Sequence, residues 1–151
     1  MTAEELKEME HAQNVEKWKQ VRTACRQAKQ EYERLEREFV YAEREVQRLD
    51  RDIANAQAAL DYHRENAPTP DNFPTDEEMN MWKKQEADII AAFEPLRAER
   101  GNAIHNREDL RLKAVRVAAE LENLMHAERN AREKASGNKL ATGWQGAVTR
   151  V

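Results

Sequence analysis

The fold is decided by residues 18–60, which read WKQVRTACRQAKQEYERLEREFVYAEREVQRLDRDIANAQAAL. In this stretch, apolar or small side chains recur with spacings that alternate between three and four. That alternation is the a/d repeat of a coiled-coil helix, and it places these side chains on one seam that faces a partner helix. The seam residues of this first helix are Trp18, Val21, Cys25, Ala28, Tyr32, Leu35, Phe39, Ala42, Val46, Leu49, Ile53, Ala56 and Leu60.

A second seam with the same spacing follows between Trp82 and Ala135. Residues 67–75 separate the two seams and hold three of the chain's four prolines, so they predict a turn. Residues 75–78, TDEE, form a capping box, in which the threonine hydroxyl accepts a backbone amide hydrogen and the last glutamate reaches back. Four seam positions of the second helix are charged: Glu86, Arg100, Arg107 and Glu128.

These patterns predict a single all-α domain over residues 1–151, an antiparallel two-helix coiled-coil hairpin. Pro95 removes a backbone donor within the second helix and predicts a kink there. Three glycines return near the C-terminus, and glycine disfavours a free helix. The predicted segments are helix one at 2–66, the proline-rich tip at 67–75, helix two at 76–136 and a flexible tail at 137–151.

A register follows if the chain folds back at the tip. Leu60 then faces Trp82, and each a position of one helix meets a d position of the other. Arg100 lies opposite Ala42 in this register, which leaves space for the arginine stem to bend outward. Further predicted pairs are Arg107 with Leu35, Cys25 with Val117, and Trp18 with Leu124.

The composition excludes several classes of protein. Charged residues are 36% of the 151, the net charge is −4, and both signs alternate along most of the chain. No basic face is evident, so nucleic-acid binding is disfavoured. The longest apolar run, Ile89–Phe93, is too short to span a membrane, and no secretory signal is predicted. Cys25 is the single cysteine, which suits a reducing compartment. We expect a cytoplasmic protein, or one inside a virion if a phage encodes it.

The polar residues do not indicate catalysis. The pairs His105–Asp109 and Glu122–His126 could each supply two metal ligands, whereas a zinc site needs three or four. Ser136 is the only serine, and no base is placed beside it. The four glycines are too scattered for a phosphate-binding loop. The sequence therefore predicts no enzymatic activity, no cofactor and no metal.

An apolar flank is predicted beside the seam of helix two. A solitary hairpin carries charges at its e positions, but this helix has Ile90, Ile104 and Met125 there. Together with the charged seam positions, this wider apolar face suits a larger assembly. We expect either a homodimer that forms a four-helix bundle or a protein partner along the flank.

Two further surfaces are candidates for partner binding. At the tip, Phe73, Asp76 and Glu77 suit a basic protein surface, and the alternative is a solvated, capped turn. In the tail, Trp144 and Val148 are candidates to order against a partner or against the base of the hairpin. An exposed tryptophan is a common interface anchor.

The predicted architecture resembles known coiled-coil hairpins. It is similar to the central-stalk proteins of flagellar and type III secretion ATPases, to small phage assembly proteins and to phage-encoded inhibitors of host machinery. We predict a non-enzymatic, protein-binding structural, scaffold, adaptor or inhibitor subunit of a larger assembly, including a viral or phage one. The alternatives are a stalk or chaperone-like subunit of a secretion ATPase and, third, a nucleic-acid-binding protein.

Overall fold

The computed structural model contains two long α-helices. Helix α1 covers Ala3–Glu65 and helix α2 covers Asp76–Val148, with a 3-10 turn at Pro70–Asn72 between them. The structure describes the backbone of residues 2–72 and 75–148, and the side chains of 2–69, 71–72 and 75–137. Within these residues there is no β-strand, and α1 contacts α2, so the predicted all-α helical hairpin is confirmed.

Both helices begin where the capping signals predict. The hydroxyl of Thr75 accepts the backbone amide of Glu78 at 3.2 Å. At the start of α1, Thr2 accepts the amide of Glu5 at 3.2 Å in the same way. Each bond satisfies an amide that has no carbonyl partner in the first helical turn.

The chain divides into two compact units. The tip unit is Arg37–Arg111, and the terminal unit is Met1–Glu36 with Leu112–Val151. Within each unit, a stretch of α1 packs against a stretch of α2. The buried apolar residues are Ala42, Val46, Leu49, Leu60, Phe93 and Leu110 in the tip unit, and Ala28, Leu35, Ala131 and Ala135 in the terminal unit. All of them occupy the predicted seams.

The predicted register is wrong by one helical turn. In the tip unit, Trp82 stacks on His63, with ring centroids 4.6 Å apart, rather than facing Leu60. In the terminal unit, the indole Nε1 of Trp18 donates to Glu128 at 2.9 Å, rather than the ring facing Leu124. Each partner lies three or four residues beyond the predicted one. If one helix slides along the other by one turn, apolar seam residues still face apolar seam residues. The apolar repeat therefore cannot distinguish the two registers, whereas the polar contacts of these tryptophans can.

Helix α2 does not end where predicted. It continues to Val148, twelve residues beyond the predicted end at 136. Gly137 does not adopt the positive φ of a helix-terminating glycine, and a glycine inside a helix costs only about 1 kcal/mol. No proline follows to stop the helix. The helix also runs through Pro95, and the kink predicted there stays a prediction.

Candidate protein-binding groove

The charged seam positions of α2 in the tip unit are paired with groups on α1. Arg100 bonds to Asp50. Arg107 Nη1 lies 3.1 Å from Glu43 Oε2, and Glu86 lies 3.7 Å from Arg64. Each partner lies eight residues along α1 from the residue predicted to face that charge, about one turn more than the shift seen at the two tryptophans. Each of these three charges thus has a partner within the hairpin, so they give no support to the wider interface that the sequence predicts along α2.

The terminal unit contains an open groove of about 500 Å³ between its two helical stretches. Its apolar floor consists of Cys25 and Tyr32 from α1 and Leu121 and Met125 from α2. The first three are half-buried, whereas Met125 is 52% exposed. The α2 seam residue Glu128 closes one end, where it accepts the Trp18 hydrogen bond.

The rim of the groove on α1 is electrostatically polarised. Along α1 the rim begins with three basic residues, Arg22, Arg26 and Lys29. Two acidic residues, Glu33 and Glu36, follow within the next two turns. The rim is therefore basic at one end and acidic at the other. We call this row of five residues the polarised rim.

Two rim side chains are held by residues of the groove or its edge. The Arg22 guanidinium lies over the Trp18 ring, 4.8 Å from its centroid, and its Nε is shielded from solvent without a hydrogen-bond partner. Glu36 accepts a hydrogen bond from the Tyr32 hydroxyl, and this bond raises the pKa of Tyr32. One end of the polarised rim is thus held against the Trp18 ring and the other by the Tyr32 hydroxyl.

The single thiol in the groove is not set up as a nucleophile. Burial, and then the negative charge of Glu128, raise the pKa of Cys25. A thiolate is the reactive form of cysteine, and a raised pKa keeps the thiol protonated near neutral pH. Cys25 therefore acts as a small apolar side chain in the floor.

No cluster of three metal-ligating side chains occurs among the described residues. The groove offers an apolar floor, a bordering row of charges and an open side. Such a surface is suited to receive an amphipathic helix rather than a small enclosed ligand.

The predicted flank residues belong to different units. Ile90, which is 44% exposed, and the half-buried Ile104 belong to the tip unit, whereas Met125 lies in the groove of the terminal unit. In the tip unit, Glu43 bonds to Arg107 rather than to Arg97. Arg97 packs instead over the ring of Phe93.

The other predicted site residues are only partly described. Asp76 and Glu77 are exposed in the first turn of α2. Phe73 lies outside the described residues, and the side chains of Trp144 and Val148 lie outside the described side chains. Their roles in partner binding stay predictions.

Sequence reasoning missed the polarised rim. Its residues sit beside the α1 seam, where alternating charges are the usual solvated face of a coiled-coil helix. The available signal was the order of the charges, since three basic residues precede two acidic ones on one side of the helix. The structure shows that these charged residues border a groove, because it places Met125 and Leu121 of α2 beside them.

Over the described residues, neither helix combines the length and the apolarity that crossing a bilayer requires. No protein-family model matches the sequence, and comparisons with curated proteins and with solved structures likewise give no match.

Proposed function

We propose that this chain is a non-enzymatic, protein-binding helical hairpin that serves as a scaffold or adaptor by receiving an α-helix in the groove of its terminal unit. The observation that carries the proposal is the exposed Met125 set beside the polarised rim. An exposed apolar side chain bordered by ordered charges supplies both affinity and direction to a docking helix.

The length of the groove indicates the size of the segment that it accepts. Along α1 it extends from Arg22 to Glu36, which is about 21 Å at a rise of ~1.5 Å per residue. A helix of three to four turns covers this distance. Its apolar residues would recur every three or four positions and contact Tyr32, Leu121 and Met125.

The charges of the rim specify the polarity of that helix. Acidic side chains are expected next to Arg22 and Arg26, and basic side chains next to Glu33 and Glu36. Like charges placed opposite each other would oppose docking, so the rim selects against uniformly acidic or uniformly basic helices.

Two synthetic helical peptides test the proposal. Both carry the same leucine stripe and the same charged residues, but one has its acidic and basic residues in separate halves and the other has them interspersed. We expect the segregated peptide to bind more tightly in fluorescence anisotropy, because only its charges can pair along the whole rim.

Variants of the chain locate the binding. Met125→Lys should abolish binding of the segregated peptide, because it puts a charge in the apolar floor. Val40→Lys is the matched control, since Val40 is similarly exposed, at 47%, but belongs to the tip unit. Equal affinity for the two peptides, or full binding by Met125→Lys, would contradict the proposal.

A further inference from the structure

The polarised rim is nearly symmetric about its own midpoint. Arg22 and Glu36 are each seven residues from Lys29, and Arg26 and Glu33 are three and four residues from it. A reversal of chain direction about Lys29 therefore places Arg22 and Arg26 close to where Glu36 and Glu33 stood, while Lys29 falls on itself. The rim is complementary to an antiparallel copy of itself.

We infer that the helix received by the groove is α1 of a second copy of this chain, which lies antiparallel so that two hairpins form a two-fold symmetric four-helix bundle. This inference rests on the proposed function and names the partner of the same groove. In the dimer, Arg22 of one protomer faces Glu36 of its partner, and Arg26 faces Glu33. Two-fold symmetry makes each contact twice.

The alternative alignment of two copies is repulsive. In a parallel pair, Arg22 would face Arg22, and Glu36 would face Glu36. Like charges brought together at an interface oppose association, so the order of charges selects the antiparallel arrangement. The direction of the second copy thus follows from the sequence of the rim, while the apolar floor supplies the contact area.

Further exposed apolar side chains lie on α2 of the same unit. Val115 is exposed like Met125 and lies about 80° from it around α2, whereas Leu112, also exposed, faces away from the seam. A second hairpin would cover apolar side chains that a monomer leaves in water. The dimer therefore has an apolar contribution in addition to its charge pairs.

Lys29 is the one unfavourable member of the rim. At the midpoint, the Lys29 side chains of the two protomers approach each other near the two-fold axis. Lys29→Gln removes this like-charge contact, so it should tighten the dimer by several-fold, whereas a monomeric protein would show no effect.

Paired charge reversals provide the decisive experiment. Variant A is Arg22→Glu with Arg26→Glu, and variant B is Glu33→Lys with Glu36→Lys. Each variant alone faces like charges at both ends of the rim, so its dimer dissociation constant should rise by about tenfold or more. A mixture of A and B restores opposite charges at both ends and should form the A–B heterodimer.

Sedimentation velocity of the full-length chains measures all of these species, and circular dichroism checks that each variant remains helical. The inference is supported by a wild-type dimer, weakened A and B, and a recovered A–B dimer. It is overturned if the wild type is a monomer, or if the A–B mixture does not associate. It is also overturned if the dimer tolerates A and B but is lost in Ile90→Lys with Ile104→Lys, since the contact then lies in the tip unit.

The outcomes separate this inference from the proposed function. A monomeric wild type that still binds the segregated peptide overturns the second copy as occupant and leaves the groove as a helix-binding site. A chain that neither dimerises nor binds that peptide overturns both.

Discussion

Two residues hold the helices of the tip unit together next to the turn. The Trp82 indole Nε1 donates to the backbone carbonyl of His63 at 3.2 Å, and the His63 ring Nε2 donates to the carbonyl of Trp82 at 2.9 Å. The two rings also stack at 10° between their planes. The contact thus fixes both residues through side chain and backbone together.

Trp82→Phe tests this contact at the scale of one hydrogen bond. Phenylalanine keeps an aromatic face for His63 but leaves its carbonyl without the indole donor. We expect a loss of about 1 kcal/mol in the free energy of unfolding, measured by urea denaturation followed by circular dichroism. Tyr62→Phe is the control, because Tyr62 comes directly before His63 in the sequence but its side chain is exposed. Equal midpoints for Trp82→Phe and the wild type would contradict the prediction.

Cys25 provides a pH-dependent prediction at the same scale. Burial and the charge of Glu128 raise its thiol pKa in the folded protein. The unfolded chain then loses the thiol proton first, so the contribution of Cys25 to stability is complete below the ordinary thiol pKa. It is lost as the pH rises through the folded value.

Glu128→Gln should lower the Cys25 pKa, because it removes a nearby negative charge that disfavours the thiolate. Iodoacetamide alkylation at a fixed alkaline pH should therefore be faster in this variant, and its pH profile should shift toward lower pH. Glu122→Gln, an exposed change one to two turns away on α2, is the control. An unshifted profile in Glu128→Gln would show that burial alone sets the pKa.

At the scale of the helices, the described core of the terminal unit ends at Ala135. Deletion of residues 137–151 should therefore change the melting temperature very little. Deletion of residues 131–151 is the matched comparison, because it also removes the buried Ala131 and Ala135, and it should lower the melting temperature clearly. If the shorter deletion destabilises the protein as much as the longer one, residues 137–151 belong to the core.

The seams could be predicted from the sequence, but their register could not. Apolar residues spaced by three and four identify which face of each helix is buried, and Leu49, 1% exposed, illustrates how well that face is defined. Sliding one helix by a turn reproduces the same spacing. The register is marked instead by contacts such as Trp18 with Glu128, which no periodic pattern contains. The end of α2 was missed for a related reason, since a glycine is compatible with both a helix stop and a helix interior.

At the scale of the whole chain, the candidate site was half predicted. Met125 was identified from its apolar e position, and it lies in the groove. Ile90 and Ile104 belong to the other unit, and their place on one flank with Met125 stays a prediction. The borders of compact units depend on the three-dimensional contacts of both helices, and a heptad pattern does not show them.

Self-association through the polarised rim should be sensitive to salt. Its charges are at the surface, and exposed ion pairs are screened as the Debye length falls from about 10 Å at 0.1 M to about 3 Å at 1 M ionic strength. We expect the dimer dissociation constant of the wild type to rise with sodium chloride in sedimentation equilibrium. The dimer dissociation constant of Lys29→Gln should also rise with salt, but from a lower starting value. A dissociation constant that falls with salt would indicate an interface dominated by apolar contacts.

The charged seam residues of α2 also restrict which helices of other proteins could replace α1 in the hairpin. Any cell or virion contains many heptad sequences, and an apolar seam alone would accept most of them. In this hairpin, Arg100 pairs with Asp50, Arg107 with Glu43 and Glu86 with Arg64. A helix that replaced α1 would need two carboxylates and one cation at the same places to form these pairs. A helix with leucine at those places would forgo these partly exposed ion pairs, each of which contributes about 1 kcal/mol or less. These pairs thus favour the hairpin's own two helices over competing ones, and under the proposed function other helices would bind in the open groove of the terminal unit.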